Sequence, residues 1–194
     1  MKIRLLLLLA LLAATLAAAT PPVVIRLSTG LGVIEAELYA DRAPATVANF
    51  LKYVDAGRYT GGLFHRTVKL HPDNQPHNTV KIEVIQGGVN PEFAGQDWPA
   101  IALERTRDTG LKHLDGTLSM ARAAPDTATS DFFICIGDQP ELDFGGKRNP
   151  DGQGFAAFGR VTKGMDIVRK IQNAPAEGQK LIPPVRIMKI ERLP

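Results

Sequence analysis

His71, Asp73 and His77 lie close together in the segment HPDNQPHN and could ligate a metal. Their spacing matches no common site, and a proline-containing loop would hold them poorly, so no metal is expected. The single cysteine, Cys135, sits inside the apolar run 132–136. A nucleophilic thiol needs a nearby base or positive dipole to lower its pKa. None is evident locally, and the setting suits a small buried core residue. One cysteine also makes no internal disulfide. Gly152-Gln153-Gly154-Phe155-Ala156-Ala157 matches a dinucleotide fingerprint by letters. It follows a polar loop and opens a strand, whereas the fingerprint needs a strand before it and a helix after it. Gly145-Gly146-Lys147 lacks the spaced first glycine and the Ser/Thr of a phosphate loop. No GxSxG occurs, and no Ser/His/Asp set can be tied together from sequence.

These side chains must be carried by short elements. Residues 23–27 and 33–38 read as strands, with Gly30 and Gly32 marking a hairpin. Ala43-Pro44 opens a helix over about 43–56, because proline costs little in a first helical turn. Val47, Phe50, Leu51 and Val54 follow at helical spacing, and Gly57 ends the pattern. Strand-like runs come next at 63–68, 80–86, 117–121, 131–136 and 155–161. A second helix is expected over 163–173, with Met165, Val168 and Ile171 on one face. A strand over 185–192 closes the chain. Many short strands with two separated helices argue for a closed or sandwiched antiparallel sheet. The long polar loops 71–78 and 145–154 are surface features that either decorate the fold or flank a site.

Residues 1–19 (MKIRLLLLLALLAATLAAA) have the layout of a secretory signal peptide: Lys2 and Arg4, an apolar run, then small residues. Cleavage before Thr20 is expected, which makes 20–194 one domain, exported and periplasmic or secreted. The stretch dissolves into small residues too early for a membrane span, so no stable membrane insertion is expected. The full chain carries 23 Lys and Arg against 20 Asp and Glu. Loss of Lys2 and Arg4 leaves a near balance, which gives no reason to expect nucleic acid as a partner.

Three segments carry an identification. They are Phe64-His65-Arg66, Ile85-Gln86-Gly87-Gly88, and Ser119-Met120-Ala121-Arg122-Ala123 followed by Ser130-Asp131-Phe132-Phe133-Ile134. In this order they resemble the FHR, QGG and SMA…SxFFI segments of the cyclophilins. Residues 41–50 look like that family's first helix, and Phe158-Gly159-Arg160-Val161 with the residues after it looks like its late strand and second helix. The resemblance spans about 23–192. It implies a mainly β fold: a closed eight-stranded antiparallel β-barrel capped by two α-helices.

The resemblance also implies peptidyl-prolyl cis-trans isomerase activity on proline-containing polypeptides, without cofactor, by a monomer. Rotation about an X–Pro bond breaks amide resonance, a barrier of about 18–20 kcal/mol. In the twisted state the prolyl nitrogen becomes a better hydrogen-bond acceptor, and a fixed cationic donor aimed at it helps only there. Arg66 takes the family's catalytic arginine position and Gln86 its glutamine donor. Phe133, Ala121, Leu142 and Phe155 match positions that line the proline groove, with Val84 beside them.

Several positions depart from that pattern. An aromatic pocket residue is replaced by Glu83, and methionine by Val84. A glutamine becomes Asp131, a tryptophan falls near Glu141, a histidine near Phe155, and an asparagine becomes Arg122. A carboxylate buried unpaired beside a proline pocket is costly. Glu83 therefore points away, or pairs with Arg66 or Arg122, or yields its place to Ile82 or Val84 through a shift in register. An acidic groove would turn the barrel into a partner-binding module with little activity.

Overall fold

The computed structural model describes residues 21–194. The expected signal segment and its cleavage point lie outside those residues. Among the described residues nine strands form one sheet, and pairing of the first strand with the last closes it. The strands are β1 (Val23–Thr29), β2 (Gly32–Leu38), β3 (Leu63–Val68), β4 (Val84–Gly88), β5 (Thr117–Met120), β6 (Phe132–Cys135), β7 (Ala156–Lys163), β8 (Ala176–Glu177) and β9 (Lys180–Arg192). Eight of them run β1-β2-β7-β5-β6-β4-β3-β9 around an antiparallel barrel, and β8 is a short hairpin partner of β9. The expected barrel is therefore present.

Among the described residues three α-helices accompany the barrel: α1 (Pro44–Asp55), α2 (Thr106–Thr109) and α3 (Met165–Gln172). Val47, Phe50 and Val54 of α1 and Val168 and Ile171 of α3 enter one continuous core with the barrel's inward residues. Helix α2 adds to the two expected. It is a single turn, too short to leave a periodic signal, and it ends at Gly110 in the left-handed region. The α1 N-terminus is capped from a distance: the Glu104 carboxylate accepts from the Ala45 and Thr46 amides and the Thr46 hydroxyl at 2.6–3.1 Å. No described helix is long and apolar enough to cross a membrane.

Two expected strands are placed differently. The run 80–86 becomes Val84–Gly88. Upstream, the buried Gln75 carboxamide takes both backbone groups of Ile82: it accepts from the amide at 3.1 Å and donates to the carbonyl at 2.8 Å. That segment needs no strand neighbour at Ile82, so it leaves the ladder. The final strand begins at Lys180 rather than 185. Pro183-Pro184 hides its first part from pattern reading, because proline removes a ladder donor.

Strand alternation divides the apolar residues into two volumes. Phe132 points into the barrel and packs edge-on against Phe50 and Tyr59. Phe133 points outward. There it joins Val68, Ile82, Val84, Cys135 and Leu142 in a second cluster, with Ala121 and Phe155 against it. Cys135 is fully buried, and burial pushes its thiol pKa well up, so it carries no thiolate chemistry.

Candidate active site

A groove of about 680 Å³ lies over the second cluster. All seven expected site residues line it: Arg66, Gln86, Val84, Ala121, Phe133, Leu142 and Phe155. The floor is apolar. Phe133 and Phe155 meet at right angles, with ring centroids 5.3 Å apart. Leu142 and Val84 are buried beneath, and Ile82 fills the remaining side.

The rim is a chain of hydrogen bonds. The Arg66 Nη1 donates to Gln86 Oε1 at 3.0 Å. Its Nε and Nη2 both donate to Gln179 Oε1, at 2.9 and 2.6 Å. Gln86 Nε2 then donates to Asp131 Oδ2 at 2.9 Å. The chemistry fixes the Gln86 amide: arginine only donates and a carboxylate only accepts. Burial lowers the Arg66 pKa, yet a guanidinium keeps its charge. The result is an oriented cation at the edge of an apolar hole. The QGG glycines make room for its neighbours, Gly87 for Phe64 and Gly88 for Asp131. A Cβ on Gly88 would stand 2.0 Å from Asp131 Oδ1.

The four acidic and basic departures from the family pattern have different fates. Glu83 faces away from the groove: its Oε1 accepts from Gln172 Nε2 at 3.1 Å and from the Leu70 amide at 3.4 Å. Ile82 and Val84 occupy the space instead. Glu141 accepts from the Lys147 amide and steadies the loop 145–154. Arg122 is held by Asp151 through two bonds of 2.7 and 2.9 Å, and it lies over the Phe155 ring. Of these, Asp131 alone brings a carboxylate into the groove, where Gln86 donates to it and His65 approaches to 3.5 Å.

Three residues behind the floor form a Ser–His–Asp chain that the sequence concealed. His113 Nδ1 is 2.8 Å from Asp143 Oδ1, and its Nε2 is 2.9 Å from Ser119 Oγ. The carboxylate can only accept, so Nδ1 carries the proton, and in the neutral ring Nε2 accepts from the serine hydroxyl. Burial lowers the His113 pKa, against an opposing pull from Asp143. Ser119 is wholly buried and reaches no substrate, so the set is no nucleophile. The imidazole instead stacks on Phe133, centroids 6.0 Å apart and 15° from parallel, and backs the ring.

Gln179 was also invisible, since 113 residues separate it from Arg66. The metal possibility at His71, Asp73 and His77 gains no geometry. Asp73 pairs with Lys81, and no described group of three or more such side chains could hold an ion.

Comparison with known proteins agrees with this fold. The profile described as "Cyclophilin type peptidyl-prolyl cis-trans isomerase/CLD" matches residues 24–192. The chain belongs to that family. Among individual relatives, it is 37% identical over 153 residues to a peptidyl-prolyl cis-trans isomerase of Acinetobacter baylyi, covering 78% of this chain and 73% of that one. It is 35% identical over 150 residues to peptidyl-prolyl cis-trans isomerase B of Escherichia coli, covering 77% and 84%. A crystal structure of a cyclophilin type isomerase from Cryptosporidium parvum superposes with a TM-score of 0.71 at 24% identity, over 89% of this chain and 98% of that one.

Proposed function

We propose that the chain accelerates cis-trans isomerisation of X–Pro bonds in proteins exported with it, after removal of residues 1–19. One observation carries the reading: Arg66 is clamped by Gln86 and Gln179 at the mouth of the apolar hole floored by Phe133. The prolyl ring enters that hole, against Phe133, Leu142, Phe155, Val84 and Ala121. Gln86 orients the peptide backbone. Arg66 donates to the prolyl nitrogen as the imide twists and its lone pair is freed. The donor is already fixed, so no reorganisation is spent at the transition state. Rotation breaks no covalent bond, so nucleophile and cofactor have no part in it.

The test is an isomerisation assay on a short X–Pro peptide, comparing the wild type with Arg66→Ala. Removing one such donor costs about 10²–10³ in rate elsewhere, and a loss of that order is expected. No activity in the wild type would sink the enzyme reading. Activity that survives Arg66→Ala would sink the mechanism.

A further inference from the structure

The groove contains three arginines, and only one is neutralised. Arg122 is paired with Asp151. Arg66 and Arg148 donate solely to neutral oxygens: the side chains of Gln86, Gln179 and Gln75 and the Val80 carbonyl. The groove wall on that side therefore carries two uncompensated positive charges. Burial, followed by the repulsion of Arg66, lowers the Arg148 pKa.

Arg148 is also held in place. Its Nη1 donates to Gln75 Oε1 at 3.1 Å and to the Val80 carbonyl at 2.6 Å, and its backbone amide donates to the Glu141 carbonyl. Gln75 is itself buried and bonded to Ile82. The two long polar loops thus meet at this guanidinium. Its Nε and Nη2 make no hydrogen bond to the described residues. No buried side-chain nitrogen or oxygen among the described residues lacks a partner, so these two nitrogens reach solvent. Asp131 and Asp97 line the same groove, and Asp131 stands across the Gln86 amide from Arg66.

Resting on the isomerase reading above, we infer that this site selects proline segments bearing a carboxylate on one flank of the proline, received by Arg148. The fork of a guanidinium matches a carboxylate with two parallel bonds. A fixed donor loses little freedom on binding. Asp131, across Gln86 from Arg66, repels a carboxylate on that flank, so the preference has a direction.

The experiment uses amidated X–Pro peptides carrying Glu, Ala or Lys either before or after the proline, with exchange rates read by NMR and no coupling protease. At one flank, Glu is expected to exceed Lys by about tenfold in kcat/KM at low salt, and the ratio should shrink as salt rises. In Arg148→Met the ratio falls to about one, and in Arg148→Lys it is partly kept. Equal rates for Glu and Lys at both flanks would overturn the inference, as would a ratio that persists in Arg148→Met. No turnover of any peptide would strike the isomerase reading instead.

Discussion

Gln179 presents one carbonyl oxygen to two nitrogens of Arg66, although it stands on the far hairpin of the chain. Its own amide nitrogen donates to the Asn74 carbonyl at 3.1 Å. That second bond fixes which end faces the arginine. Gln179→Met removes the acceptor while keeping the length. Kinetics should show kcat/KM down about tenfold, the worth of about 1.4 kcal/mol in a charge-assisted bond. Gln179 is partly buried at a surface hairpin, and a side chain of equal length there predicts little change in melting temperature. Full activity in Gln179→Met would show that Gln86 alone orients Arg66.

Gly88 gives a steric test of the rim. An added methyl must displace the Asp131 carboxylate, because the two would otherwise stand 2.0 Å apart. Gln86 then loses its acceptor. Gly88→Ala should lower kcat/KM and cost about 1–3 kcal/mol of stability, as overpacking does. Urea denaturation and peptide exchange rates measure the two effects separately. A neutral result in both would mean that Asp131 moves freely.

The Glu104 cap predicts a stability effect without a catalytic one. Its carboxylate satisfies two amides in the first turn of α1. Glu104→Ala should cost about 1–2 kcal/mol in chemical denaturation, since it removes a charged cap at a helix N-terminus. Peptide turnover should stay within about twofold, because surface effects remote from a site are small.

His113 makes stability depend on pH. Its native pKa is lowered from 6.5, chiefly by burial. The unfolded chain therefore binds a proton that the native state refuses. The contribution is full above about pH 6.5 and is lost as pH falls toward the native pKa. Between about pH 7.5 and 5.5, denaturation midpoints of the wild type should drop more steeply than those of His113→Gln. An NMR titration placing His113 at or above 6.5 would contradict this.

Glu83 and Asp131 looked alike in sequence, but the structure separates them. Glu83 binds Gln172 outside the groove, whereas Asp131 holds Gln86. Glu83→Gln should leave kcat/KM within about twofold, and Asp131→Ala should reduce it severalfold by freeing the Gln86 amide. The same NMR exchange measurement on a short X–Pro peptide checks both.

The short strands and the two larger helices were legible because each leaves a local mark, whereas the closed barrel and the groove residues were legible only through the family resemblance. Short apolar runs between Gly- and Pro-rich loops mark the strands, Pro44 starts α1, and FHR and QGG are the short contiguous motifs that carry the resemblance. What stayed hidden depends on contacts between distant segments. Gln75 draws Ile82 out of its strand with two side-chain bonds. His113 finds Asp143 only after the barrel closes. Pro183-Pro184 masks the start of β9, and α2 is one turn long.

Strand β6 is only four residues long, and its two faces serve different purposes. Phe132 and Ile134 belong to the barrel, while Phe133 and Cys135 belong to the groove floor. A change of shape at Phe133 is therefore felt by ligand before it is felt by the barrel interior. Under the proposed isomerase reading, substrate range can drift through Val84, Phe133, Leu142 and Phe155 while the closed sheet keeps its own side-chain set. That makes the floor a natural place to randomise in a search for new ligand shapes, with the barrel serving as an unaltered chassis.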